Sequence, residues 1–402
     1  MQNQNGLRRL PRNVWIVTLT SLLTDISSEM IANLIPFFLA NVLGVRTAVI
    51  GLIDGLAETT ASLTKIFSGA WSDKLGQRKW LTVAGYAIST LAKPFLFFAN
   101  SWGWVMGVRF ADRIGKGVRT APRDALIADS IQKEQRGLAF GLHRAGDTFG
   151  AFLGLGIAAL VIWLTQSGAA ELSAATFRTL VLISIVPAAL AVIVLAVGAV
   201  EVAKPARGPE AAKLSLSSVD GRFRAFLLTV VLFTLGNSSD SFILLRGQER
   251  GLNLLQVMGM ALTFNAVYTV FAGPLGAWSD KIGRRKLILG GWLAYGLVYL
   301  GFGLSQTGWG IWALFGLYGL YYAATEGAAK ALVADLVPEA QRGTAYGIFN
   351  AAIGLTALPA SVIAGLLWQG VGTWTGFGAS APFVFGAVMA LLAGLLFWRL
   401  VD

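Results

Sequence analysis

The 402-residue chain contains no cysteine and one histidine. Disulfides and thiolate metal sites are therefore excluded, as is any centre built from several imidazoles. Charge is scarce too. Only 13% of residues are charged, against roughly 25% in a soluble domain, so polar groups cannot cover a water-soluble surface. No Gly-x-x-x-x-Gly-Lys-Ser/Thr motif occurs, which excludes that nucleotide-binding loop as an energy source. No catalytic triad or metal-ligand constellation is visible, so the chain reads as a non-enzyme without cofactor or metal.

What remains is apolar: 55% of residues are hydrophobic. A membrane span takes about 20 apolar residues, and backbone groups in lipid must be satisfied within a helix or a closed barrel. Apolar runs without strict alternation select helices. The expected spans are 14–39, 47–69, 80–99, 103–127, 138–165 and 178–200, then 224–246, 254–276, 287–305, 309–333, 344–369 and 379–400. One extended polar linker, 202–221, separates a first domain, 1–201, from a second, 222–402.

The net charge of +11 suggests nucleic acid only when position is ignored. Arg8, Arg9, Arg12, Lys74, Arg78, Lys79, Lys133, Arg136, Lys204, Arg207, Lys213, Arg222, Arg224, Lys281, Arg284, Arg285 and Lys286 lie in alternate loops or beside them. The loops near 100–102, 305–308 and 370–375 carry no Lys or Arg, and Arg46, Arg178, Arg246 and Arg250 are scattered exceptions. This is the positive-inside pattern. It places both termini in the cytoplasm, makes the bilayer rather than nucleic acid the partner, and suits a plasma (inner) membrane protein. The first span lacks a small-residue cleavage site and reads as retained.

The eleven residues Gly69-Ala-Trp-Ser-Asp-Lys-Leu-Gly-Gln-Arg-Lys79 return as Gly276-Ala-Trp-Ser-Asp-Lys-Ile-Gly-Arg-Arg-Lys286, 207 positions later. Residues 125–141 return as 331–347 at offset 206, keeping Ala-Asp (Asp129, Asp335) and Arg-Gly (Arg136, Arg342). A near-constant offset through several spans indicates a duplicated membrane protein. The first repeat resembles the loop between the second and third helices of the major facilitator superfamily, and the second resembles that family's helix 4–5 junction. The resemblance implies an all-α membrane protein with twelve transmembrane helices in two pseudo-symmetric six-helix bundles. It also implies rocker-switch alternating access to a small-molecule substrate, and the chain is read as a monomer. It assigns gating to Gly69, Asp73, Gly76, Arg78, Asp129 and Arg136, and to Gly276, Asp280, Gly283, Arg284, Asp335 and Arg342. Asp73 and Asp280 would each cap a helix of the opposite half, latching the cytoplasmic side. Gln77 departs from the family's basic residue, which points to a weaker first latch. The plainer alternative is a basic loop that only sets topology.

Ionisable residues inside spans are costly and, by default, functional. Span 4 carries Arg109, Asp112, Arg113, Lys116, Arg119 and Arg123 within an arc of about 120°. Span 2 carries Asp54, Glu58 and Lys65 within about 40°, span 1 Asp25 and Glu29 one turn apart, and span 5 His143, Arg144 and Asp147. No lipid-facing helix keeps such stripes, so they are expected to meet inside the first half. Some must form a salt-bridge lattice, with Arg123 and Asp124 the leading pair and His143 a core residue. Asp25 and Glu29 are the sharper candidates for a coupled proton, because adjacent carboxylates in low dielectric repel each other. The second half offers Asp240, after Asn237-Ser-Ser, and Glu326 with Lys330.

Arg109 resembles the helix 4 arginine of proton-coupled exporters. Gly146, Gly150 and Gly154 resemble the glycine-rich antiporter motif, without its Gly-Pro. The reading is a secondary active transporter that exports a small organic solute against protons. The alternatives are proton-coupled uptake of an organic anion and a non-transporting membrane sensor or scaffold.

Overall fold

A computed structural model describes residues 10–132, 136–202, 220–338 and 342–400; the side chains at 73, 136–137, 276–280 and 342–344 are not described. Most of the expected linker, part of the 130–137 loop, and the side-chain roles assigned to Asp73, Arg136, Asp280 and Arg342 therefore lie outside the described residues.

Twelve long helices run through the described residues: α1 (Arg12–Ala32), α2 (Thr47–Leu75), α3 (Lys79–Ala92), α4 (Trp102–Asp129), α5 (Arg136–Gln166) and α6 (Ala174–Gly198). They continue as α7 (Gly221–Gly236), α8 (Leu254–Ile282), α9 (Arg284–Leu304), α10 (Gly308–Asp335), α11 (Arg342–Gln369) and α12 (Ala381–Leu400). Three expected spans are not continuous α-helices. Span 1 passes through Ile35–Phe37 into a π-turn, Phe38–Val42, and span 3 tightens into a 3₁₀ helix, Lys93–Phe98. Span 7 breaks at 237–240 and resumes as the short helix Ser241–Glu249.

Helix starts follow local chemistry. Ser101, Ser173, Asp220 and Thr307 each accept a backbone N–H from the first turn they precede, satisfying one of the donors a helix leaves open. The two copies of the repeated loop turn on Gly76 (φ 62°) and Gly283 (φ 90°), a left-handed backbone that favours glycine.

Nine stretches among the described residues are long and apolar enough to cross a bilayer unaided. The long helices outside that set are α2, α4 and α10. Charge stripes lower the apolar character of α2 and α4, and glycines with Glu326 and Lys330 lower that of α10. Helices with interior polar faces cross in the company of others.

The described residues fall into two compact units. The first draws on Met1–Ile35, Thr60–Thr165 and Ser173–Ala211, the second on Pro36–Thr59, Gln166–Leu172 and Ala212–Asp402. In the first, α3 packs on α4 and α1 on α6. The glycine face of α5 lies directly on α1: a Cβ on Gly150 would fall 2.4 Å from the Leu22 carbonyl, and one on Gly154 2.5 Å from that of Ile26. Asn13 closes one end of this unit, donating to Ser130 Oγ and the Val200 carbonyl and accepting from the Val200 N–H.

In the second unit, α8 packs on α10, and α9 on α10 and α12. An aromatic core fills the centre, with Phe233 stacked on Trp292 at 4.7 Å and Tyr295 on Tyr299 at 4.0 Å. The first part of α2, up to Thr59, belongs here because glycine lets it lie against α11. A Cβ on Gly51 would sit 2.1 Å from the Ser361 carbonyl oxygen, and one on Gly55 2.7 Å from Leu358 Cα. Thr47 and Thr59 donate to the Gly365 and Gly354 carbonyls along the same seam.

Candidate functional site

The first unit holds a polar cavity. It is lined by Asp25 and Glu29 of α1, Lys93 at the α3 break, and Arg109, Asp112, Arg113, Lys116 and Arg119 of α4. Two local features build it. The α5 glycines hold α1 close, so Glu29 Cβ lies 3.1 Å from where a Gly154 Cβ would be. The α4 residues share one face by helical period.

Around the cavity, Asn33 donates to Glu29 at 3.0 Å, and Arg113 stands 3.7 Å from Asp112. Arg119 donates to Ser89 Oγ at 2.7 Å and lies 4.6 Å over the Tyr86 ring. Lys93, only 5% exposed, donates to Ser27 and Ser28. Five bases face three acids, so the lining is net cationic. The open space is about 90 Å³, enough for several waters or one compact polar group, since a water needs roughly 10–15 Å³.

Other expected site residues stand apart. His143 is buried 3.7 Å from Asp147, and neither residue lines the cavity. Arg123 pairs with Asp124 at 2.9 Å and donates to Ser21, which also bonds the Tyr86 hydroxyl. Asp54 departs from the expectation that span 2 meets the α4 stripe: it is buried in the second unit, accepting from Ser239 Oγ at 2.9 Å. The reason is the Gly51/Gly55 seam, which commits that end of α2 to α11. Glu58 lies in the same unit and is exposed.

Asp240 sits at the span 7 break and accepts from Tyr318 at 3.0 Å. Tyr318, Tyr299 and Tyr295 also reach Asn237 Oδ1, at 3.2, 3.4 and 3.4 Å. Glu326 accepts from Tyr268 at 2.6 Å and from Lys330 at 2.8 Å.

The repeated loops carry matching ties within each half. Arg78 pairs with Asp129 at 3.4 Å, and Arg284 pairs with Asp335. Both run from the start of the third helix of a half to the end of its fourth. Sequence reasoning missed Glu201, which accepts from the Arg78 and Lys79 N–H groups at 2.7 and 3.0 Å and caps α3. It also underrated Lys93; a Lys-Pro pair inside an apolar run was the available signal.

Among the described residues, twelve long helices and nine stretches long and apolar enough to cross a bilayer define a polytopic α-helical membrane protein. The family model of the Major Facilitator Superfamily matches residues 17–262 and 225–402, and the chain belongs to that superfamily. It is 35% identical over 401 residues to an uncharacterized MFS-type transporter of Methanocaldococcus jannaschii, covering 98% of this chain and 96% of that one. Over 147 residues it is 32% identical to the class E tetracycline resistance protein of Escherichia coli, covering 36% and 34%. Among solved structures, the nucleoside transporter NupG aligns with a TM-score of 0.78 at 14% identity, covering 97% of this chain and 99% of that one. A bacterial homolog of the human lysosomal transporter Spinster, inward-facing and unoccupied, gives 0.76 at 15%, covering 100% and 98%. The protein is a multi-pass secondary transporter with the twelve-helix fold of the superfamily, not an enzyme.

Proposed function

We propose that the protein exports a small organic solute in exchange for protons, with Asp25 and Glu29 carrying the coupled proton. The observation that carries this reading is that both carboxylates open onto one cavity with Lys93 and the α4 bases. Two carboxylates one turn apart in low dielectric favour sharing a proton, and a neighbouring cation displaces it. Partial similarity to a tetracycline resistance protein favours export of an organic compound. The protein works as a monomer in the plasma membrane with both termini cytoplasmic, and the halves 1–201 and 222–402 give alternating access by a rocker-switch movement. Asp73 and Asp280 latch the cytoplasmic side, and the Arg78–Asp129 and Arg284–Asp335 ties keep each loop on its own half.

The test is a substrate screen in inverted vesicles with a pH-sensitive dye. Asp25→Asn and Glu29→Gln should each abolish gradient-driven accumulation and spare substrate exchange, which needs no net proton release. Full gradient-driven transport in the double variant would remove the pair from this role and pass it to Asp54 or Glu58.

A second reading, proton-coupled uptake of an organic anion, is favoured by one observation. Lys93 is buried and bonded only to hydroxyls within a net-cationic cavity. A buried ammonium without a contacting carboxylate draws an anion. Accumulation of a carboxylate by right-side-out vesicles under an inward proton gradient would select this direction.

A further inference from the structure

On the outside of the first unit, an apolar groove runs between α3 and α4, lined by Leu91, Phe95, Gly103, Trp104, Gly107 and Val108 among others. Val108 also lines the cationic cavity. The two thus share a wall at Val108, and the local geometry explains it. In the 3₁₀ turn that continues α3, residues three apart eclipse. Lys93 and Leu96 therefore line the cavity, and Ala92 and Phe95 line the groove. Along α4, Arg109 and Asp112 face the cavity, and Gly107 and Ala111 face the groove.

The groove has room to be filled. A Cβ on Gly103 or Gly107 would meet no heavy atom within 4 Å. Trp104 spends its one polar group internally, donating Nε1–H to the Phe95 carbonyl at 2.7 Å, so its ring offers only apolar surface. On the other side of the wall stands the Lys93 ammonium, bonded to two neutral hydroxyls and, among the described residues, in no ion pair. A buried ammonium thus backs directly onto an apolar groove.

We propose that the substrate is an amphiphilic anion, its headgroup held at Lys93 in the cavity and its alkyl tail lying in the groove between α3 and α4. The proposal rests on the organic-anion reading and names the class of anion. The about 90 Å³ cavity accommodates a compact carboxylate, and the tail stays in an apolar environment throughout, which avoids the cost of exposing it to water. Val108 is the side chain that has to shift to let the chain cross the wall.

The test uses the full-length protein in proteoliposomes with dodecanoate carrying a terminal diazirine. After illumination, adducts are mapped by mass spectrometry. They should concentrate on Phe95, Trp104 and their neighbours and be competed by unlabelled dodecanoate. Lys93→Gln should lower this labelling by roughly tenfold or more, the scale of a lost charged hydrogen bond. Gly107→Phe, whose ring enters open space, should lower it without touching the anion site, and elution as a single species confirms that each variant is folded. Adducts spread evenly over the apolar exterior, uncompeted and unchanged in both variants, would mean that the groove holds bulk lipid only and overturn the proposal. A parallel arm separates the two readings with butanoate, which has the headgroup and almost no tail. Lys93-dependent proton movement with butanoate, alongside indifferent dodecanoate labelling, sinks the groove and leaves the anion reading standing. No response to either probe sinks both.

Discussion

Arg246 shows how a single residue can look misplaced in sequence and be explained by its contacts. It stands among the basic residues that break the loop-charge pattern, yet it is fully buried. Its guanidinium donates to the carbonyls of Phe302, Gly303 and Ser305 and to Ser380 Oγ, and it pairs with Glu249. The carbonyls at the end of α9 have no partner within their own helix, and a planar fork of donors satisfies several at once. Arg246→Leu should therefore lower stability by about 3 kcal/mol, read as a fall in the unfolding midpoint in detergent. Arg246→Lys should recover only part of it, because a single ammonium cannot span the same carbonyls. Glu201 is a milder case. As the cap of α3 it makes no ion pair in the described residues, and Glu201→Ala should cost about 1 kcal/mol, measured the same way.

Among elements, the seam between the start of α2 and α11 is a close backbone approach. Substitution of Gly51 places a methyl 2.1 Å from a backbone oxygen, and backbone cannot swing aside as a side chain does. Gly51→Ala should force the helices apart and shift population away from this arrangement. Nitroxide labels at Val45 and Thr373 report it: the expected outcome is a longer or broader distance distribution, and an unchanged one would show that the seam does not control the arrangement. The α5–α1 contact follows the same logic with a functional consequence. Gly154→Leu should displace α1, and with it Glu29, so the proton coupling proposed for that carboxylate should fall even though no charge is altered. Substrate-evoked proton flux in vesicles is the measurement, and retention of the parental flux would detach the glycine face from the site.

At the scale of the whole molecule, the prediction concerns sidedness. The Lys/Arg asymmetry predicts cytoplasmic termini and cytoplasmic loops at 70–79, 130–137, 202–221 and 277–286. Cysteines introduced as Ser101→Cys and Gln306→Cys should react with an impermeant maleimide added outside intact cells, since the natural chain has no cysteine to interfere. Reaction only after the cytoplasmic face is opened would reverse the assignment.

Span number, the internal duplication and the helical class were legible in the sequence, because each rests on local composition summed over about 20 residues or on a copied string. The copied Gly76 and Gly283 were legible as part of the repeat, and the left-handed turn at each came with the structure. Periodicity also put Arg109, Asp112, Arg113 and Lys116 on one face, but a face does not name its neighbour. Which acids met those bases depended on which helices could approach, and small residues decided that. Gly150 and Gly154 seat α1, with Asp25 and Glu29, at the first cavity, and Gly51 and Gly55 take Asp54 away to Ser239 in the second unit. The inward turn of Lys93 required the switch from α to 3₁₀ geometry at Ala92, and the burial of Arg246 required the open end of a helix about 60 residues further along. Sequence alone settled the architecture because hydrophobic burial follows composition; the pairing of charges needed the tertiary structure, because Coulombic partners are set by distance between elements that the chain separates.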